Sequence, residues 1–204
     1  MSTTPETQPP EPSDLDLAGL ARRIRLWGSE LGFQQVGIAD IALEADEAHL
    51  LEWLAQGHHG EMGYMQRHGT LRSRPDELLP GTVRVISVRM DYWPPDSGAP
   101  EPVLTDPAMA YLSRYALGRD YHKVLRKRLQ QLAGRIESIT GPVIHRAFTD
   151  SAPVLEKALA RNAGLGWIGK HTNLINDRAG SWFFLGELYT SLPLPVDMPG
   201  ENHC

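Results

Sequence analysis

With 204 residues, 41% of them hydrophobic and 22% charged, the chain can bury one sizeable core and at most a small second lobe. A net charge of −5 gives no global basic field for nucleic acid, so any RNA contact needs a local basic patch. The single cysteine excludes an internal disulfide framework. No run approaches the roughly 18 apolar residues of a membrane helix, and the N-terminus lacks the basic-then-apolar order of a signal peptide, which makes the cytoplasm the expected address.

Residues 1–14, MSTTPETQPPEPSD, are too polar to offset the entropy of ordering, and a disordered leader is expected there. Leu17, Leu20, Ile24, Trp27 and Leu31 recur at helical spacing, with Gly32 placed to end the helix. FQQVGIAD reads as a short strand, and Leu43, Leu50, Trp53 and Leu54 suggest a second helix ending at Gly57. The stretch HHGEMGYMQRHGTLRSRPDELLPG has no clean period and reads as a long irregular segment, a kind that often carries function. TVRVISVRMDYW alternates as a strand. Pro94, Pro95, Gly98, Pro100, Pro102 and Pro107 then predict a connection without regular structure.

DYHKVLRKRLQQLAGRIESI is the clearest amphipathic helix, with Val124, Leu125, Leu129, Leu132 and Ile136 on one side and Lys123, Arg126, Lys127 and Arg128 mostly on the other. PVIHRAFTD is a strand that delivers Asp150 at its end, and APVLEKALARNAG is a helix with Pro153 near its first turn and Gly164 past its end. HTNLINDRAGSWFFLGELYTS reads as a hairpin closed through Asn176 to Gly180. The order predicts one α/β domain, a mixed sheet with flanking helices, without the strict βαβ rhythm of a dinucleotide-binding fold.

Common catalytic motifs are absent: no P-loop, no nucleophile elbow, no H-E-x-x-H and no C-x-x-C. His58 and His59 with Glu61 lack the spacing that puts two imidazoles on one helical face, so a solvated loop is the better reading. Asp150 stands at a strand-to-helix junction, where a cap would lower its pKa and a general acid would need it held neutral. Ser151 could take the cap and release it. Arg72 and Arg74 could hold a phosphate or carboxylate, although exposure is the commoner fate. Tyr115, Asp120, Tyr121 and His122 group polar aromatics and an acid at a helix start, where Asp120 is at least a cap. Trp167, Trp182, Phe183 and Phe184 are either core or a flat wall for a planar ligand.

RYALGRDYHKVLR, FTDSAPVLEKALA, AGLGWIGKHTNLI and GSWFFLGELY, with HGEMGYMQRH and LLPGTVRVISVRMDY, together resemble epoxyqueuosine reductase from about residue 15 onward. The resemblance implies an oxidoreductase that reduces epoxyqueuosine to queuosine at the wobble position of tRNA, with cobalamin, two 4Fe–4S clusters and an external electron donor. It implies a nitroreductase-like cobalamin-binding domain over residues 15–195, acting as a monomer and followed in the family by a ferredoxin-like domain. Asp150 would be the proton donor. Cobalamin contacts would fall on Arg72, Ser113, Asp150, Leu174 and Leu185, with Lys170, Asp120 and His122 as weaker candidates. Cys204 would be the first ligand of a cluster whose other ligands the chain lacks. On this reading residues 196–204 begin a missing iron–sulfur domain, and the chain alone is expected to turn over little. The rival readings are a non-enzymatic cobalamin- or tRNA-binding fragment and a flavin enzyme on a related fold.

Overall fold

The computed structural model describes residues 15–93 and 98–204; the expected leader and the Pro94–Pro95 pair fall outside these residues. Two long apolar strands, β2 (Arg84–Asp91) and β6 (Phe183–Thr190), form the centre of a four-stranded sheet. The shorter β1 (Gln35–Ala39) and β3 (His145–Phe148) flank them in the order β1-β2-β6-β3. The expected α/β architecture with flanking helices is present, and its sheet resolves into antiparallel pairs throughout. Separate from it, β4 (Trp167–Ile168) pairs with β5 (Leu174–Ile175).

Strand residues alternate between two faces, and the two faces here differ in chemistry. Val36, Ile38, Ile86, Val88, Met90 and Leu188 point to one side, where α1 (Leu17–Glu30) and α6 (Tyr121–Thr140) cover them with Leu20, Ile24, Leu125, Leu129, Leu132 and Ile136. Leu125, Leu129 and Leu132 are completely buried, and burial of each stabilises the fold by about 2 kcal/mol. Asp16 caps α1 by accepting from the Gly19 N–H at 2.8 Å, which satisfies one of the orphan donors of the first turn.

The other face carries Val85, Ser87, Arg89 and Asp91 of β2 opposite Tyr189, Glu187, Leu185 and Phe183 of β6. It lies under α7 (Glu156–Asn162) and the β4–β5 pair. Gly37 brings α7 close to β1, since a Cβ there would overlap the Ala163 carbonyl oxygen and come within 2.7 Å of Leu165 Cδ1. The β1 edge is also covered: Asp197 N–H donates to the Ile38 carbonyl at 2.8 Å, and the Asp197 carboxylate accepts from Ile38 N–H and from Arg25.

Several local expectations change. The segment after Gly57 contains two single-turn helices, α3 (Tyr64–Arg67) and α4 (Pro75–Leu78), joined through a 3₁₀ turn at Gly69–Arg72. Despite its prolines, Glu101–Thr105 is a short helix (α5), because Pro100 and Pro102 sit at its cap and first turn, where no N–H is needed. The last helix starts at Glu156 rather than near Pro153. The Asn176–Gly180 closure is present as a bridge, but its flanks diverge: β5 returns to β4 while β6 joins the main sheet. The basic side of α6 is shorter than the sequence suggests, since Arg128 donates to the Gly32 carbonyl at 3.1 Å and is partly buried.

Candidate active site

β3 ends at Phe148, and the chain turns sharply there: Ser151 N–H bonds back to the Thr149 carbonyl at 2.6 Å. This turn puts Asp150 at φ +54°, in the left-handed region that a side chain rarely occupies without a compensating constraint. Two constraints are visible. The Asp150 N–H donates to Glu156 Oε1 at 2.6 Å, and Asp150 Oδ2 meets the Tyr121 hydroxyl, which donates to it, and His122 Nε2 at 3.0 Å. Neither Asp150 nor Ser151 caps α7; Leu155 holds the N-cap position without a side-chain bond. The cap reading of Asp150 is therefore set aside, because the helix starts six residues later.

The partners of Asp150 come from the start of α6. Asp120 caps that helix by accepting from His122 N–H at 3.0 Å, and the same oxygen lies 3.0 Å from His122 Nδ1. Tyr121 is clamped between rings, stacked on Phe184 and on His122, each with centroids 4.0 Å apart. Burial first, then the Asp150 carboxylate, push the Tyr121 hydroxyl well above its ordinary range, so it stays a hydrogen-bond donor. His122 holds the Asp120 carboxyl below its usual value through its hydrogen bond. Asp150 itself is open to solvent, its side chain 59% exposed, and its Oδ1 has no hydrogen-bond partner among the described residues. A cleft of about 370 Å³ opens beside Tyr121 and Phe184, lined also by Tyr92, Arg114, Tyr115 and Leu117.

Behind the turn lies a set of buried and half-buried polar groups that the sequence reading passed over. Burial lifts the Glu156 carboxyl to about 7 and the fully buried Glu187 well above the carboxylate range. Glu187 accepts from Ser87 Oγ at 2.5 Å, while its Oε1 and the buried Tyr189 hydroxyl have no partner. Arg89, 7% exposed, has Nε 3.2 Å from Asp91 Oδ1 but makes no hydrogen bond through Nε or Nη1. A charged residue inside an apolar alternation, as in VISVRMD and FFLGELYT, was the signal that could have found them.

The remaining sequence candidates separate. Leu174 and Leu185 meet in one cluster with Ile168 and Phe183 under the β4–β5 pair. Ser113 lies exposed at a 3₁₀ turn (Arg114–Ala116), and Lys170 is exposed in the turn before β5. Arg72 is buried, contrary to the expected exposure, and its guanidinium donates to the Tyr64 and Met65 carbonyls at 3.0 and 3.2 Å. Arg74 is spent on Glu47 and Glu77. Trp182 is half exposed, stacking edge-on to Trp93. Cys204 is exposed and free, and no group of three or more His, Cys, Asp or Glu poised for a metal occurs among the described residues. No helix among them is long and apolar enough to cross a membrane.

Residues 72–151, from Arg72 to the turn at Asp150, match the family described as "Epoxyqueuosine reductase QueG, DUF1730". The epoxyqueuosine reductase of Pseudomonas aeruginosa is 60% identical over 202 residues, covering 98% of this chain and 56% of that protein. Among solved structures, an epoxyqueuosine reductase from Bacillus subtilis, with its catalytic aspartate loop swung out of the active site, superposes with a TM-score of 0.79 at 21% identity over 93% of this chain and 50% of its own. An epoxyqueuosine reductase bound to a tRNA-Tyr stem loop carrying epoxyqueuosine gives 0.76 at 20%, with the same coverage. By sequence this chain is similar to epoxyqueuosine reductases over almost all of its own length and it shares the fold of the solved ones, and it spans about half the length of the relatives it matches.

Proposed function

We propose that this chain forms the proton-donating, cofactor-binding part of an enzyme that reduces epoxyqueuosine to queuosine in the anticodon of tRNA, with Asp150 as the acid. The observation that carries the reading is the Asp150 carboxyl itself. It is held at one oxygen by Tyr121 and His122, open at the other, and displayed on a strained turn within the matched segment. A carboxyl so placed can protonate the oxygen of an opening epoxide, a job for one positioned acid. The solved relative with a modified stem loop supports tRNA as the substrate.

Cobalamin suits the residues present. Arg89 offers a buried guanidinium with unpartnered nitrogens next to the Phe183 ring and β6, and Arg72 is desolvated against carbonyls without a carboxylate. With the apolar Leu174–Leu185 cluster these match a broad ring that carries polar groups at its edge. Arg72, Arg89, Leu174 and Leu185 would hold it, with Ser113 and Lys170 as exposed contacts. When bound, the cofactor supplies the electrons. The 4Fe–4S clusters do not suit this chain, because one cysteine cannot supply the four thiolates of a cluster. The 204 residues alone therefore bind cobalamin and turn over little, and an external donor with further protein must deliver electrons.

The test is to express the gene carrying this chain in a bacterium deprived of its own epoxyqueuosine reductase and to measure queuosine and epoxyqueuosine in tRNA by mass spectrometry. Queuosine should return with the wild-type gene. Asp150→Asn should slow conversion about 10²-fold or more, the scale of a positioned acid, with cobalamin content unchanged. Wild-type rates in that variant would remove Asp150 as donor. Epoxyqueuosine persisting with the unaltered gene would overturn the whole reading.

A further inference from the structure

The geometry points to a second role at this site: His122, oriented by Asp120, is the group that recharges Asp150 with its proton. The inference rests on the proposed function, in which Asp150 is the donor, and goes beyond it by naming where the donated proton comes from. His122 bridges two carboxylates, with Nδ1 3.0 Å from Asp120 Oδ1 and Nε2 3.0 Å from Asp150 Oδ2. A carboxylate on one imidazole nitrogen fixes the tautomer and leaves the other nitrogen to exchange protons. Here the fixed nitrogen is Nδ1, doubly secured because Asp120 also accepts the His122 backbone N–H and caps the helix. The exchanging nitrogen is Nε2, and it faces the proposed acid.

With the open Oδ1 turned to the substrate, Oδ2 is the oxygen left to receive a proton, and the groups that hold it are Tyr121 and His122. Tyr121 donates to Asp150 and, with its own deprotonation suppressed by burial and by that carboxylate, cannot act as a proton source. Glu156 touches only the Asp150 backbone N–H. Lys123 faces Asp120 at 3.7 Å, and Tyr115 lies near Tyr121. Among the described groups that meet the Asp150 carboxyl, the His122 imidazole is the one with a second nitrogen through which protons can pass, and its side chain is 37% exposed, so water reaches it.

The step balances within these groups. The Asp150 Oδ1–H bond breaks as the proton passes to the substrate oxygen. The Nε2–H bond of the imidazolium then breaks and an Oδ2–H bond forms, leaving Asp150 neutral again and His122 neutral with its proton on Nδ1. Rotation of the exposed carboxyl returns the proton to the open side, and solvent reprotonates Nε2. The electrons of the reduction belong to the cofactor of the proposed reaction and do not enter this exchange.

The test has two arms. In the complete enzyme, His122→Ala should lower the rate of epoxyqueuosine reduction about 10²-fold, and free imidazole should restore at least a tenfold part of it. Asp120→Asn should give a smaller loss that imidazole does not relieve. His122→Gln, which retains a side chain against Tyr121, separates proton transfer from packing if the alanine variant fails to fold; it should be as slow as alanine. In the second arm, nitrogen NMR of the 204-residue chain should show neutral His122 protonated at Nδ1, and Asp120→Asn should mix the tautomers. Rates within threefold of wild type in both His122 variants, or a loss that imidazole leaves untouched, would overturn the relay. If the unaltered enzyme reduces no epoxyqueuosine, the functional reading fails first. The tautomer measurement still judges the Asp120–His122–Asp150 exchange, and an Nε2–H tautomer would refute it.

Discussion

Glu156→Gln tests the buried side of the Asp150 turn. Burial raises the Glu156 carboxyl from its usual 4.5 to about 7, so the folded chain holds this proton more tightly than the unfolded chain does. Between about pH 4.5 and 7 folding takes up a proton; stability falls as pH rises through that window, and the loss is complete above about pH 7. At about 1.4 kcal/mol per pH unit, the full penalty is about 3 kcal/mol. Glutamine keeps an acceptor for the Asp150 N–H, now at 2.6 Å, and cannot ionise. Urea unfolding of the chain at pH 5 and pH 8, wild type against Glu156→Gln, reads mainly this group, because Glu187 is present in both proteins and is raised by its own burial before its coupling to Glu156. The two should match at pH 5 within about 1 kcal/mol, and the variant should be more stable at pH 8 by up to about 3 kcal/mol. A difference that does not change with pH would refute the assignment of a partly buried, proton-holding Glu156.

Two packing predictions follow from the same sheet. Gly37→Ala should cost about 1–3 kcal/mol in thermal unfolding, since the added carbon meets the Ala163 carbonyl and Leu165 in a close-packed layer; an unchanged melting temperature would show that α7 can move away freely. Glu187→Ala should cost about 2–4 kcal/mol through the cavity and the abandoned Ser87 hydroxyl, whereas Glu187→Gln should cost little, and equal losses would mean that the ionised carboxylate is the form that matters.

How far the sequence disclosed this molecule depends on whether a feature is local. The apolar period of Val124, Leu125, Leu129, Leu132 and Ile136 marked α6, and alternation marked β2, because burial on one side writes itself into neighbouring positions. At Asp150 the residues alone left a helix cap and an acid both open, for an equally physical reason. A small acid after a strand and before a proline has the same local signature whether the helix begins at once or, as here, six residues on at Glu156. What decides between them is the meeting of Asp150 with Tyr121 and His122, 29 and 28 residues earlier, a separation that no spacing rule covers. Arg72 was misjudged similarly, since the carbonyls of Tyr64 and Met65 that receive it belong to turns with no periodic signal.

The division between the two sheet faces explains how such a site is sustained. Polar groups buried without full hydrogen bonding cost about 1–3 kcal/mol each, and this sheet places Arg89, Glu187 and Tyr189 on one face with unpartnered atoms. The opposite face carries a large apolar cluster under α1 and α6, and burial there must offset the cost. The two faces are inseparable, since alternate residues of the same strands, β2 and β6, serve both. α6 joins them a second time: its interior leucines seal the apolar face, while its first turn supplies Tyr121 and His122 to Asp150. A helix anchored over 20 residues is thus a rigid mount for an acid that otherwise sits on an exposed, strained turn. Loosening the apolar face should therefore disturb Asp150 through the position of Tyr121 before it unfolds the chain.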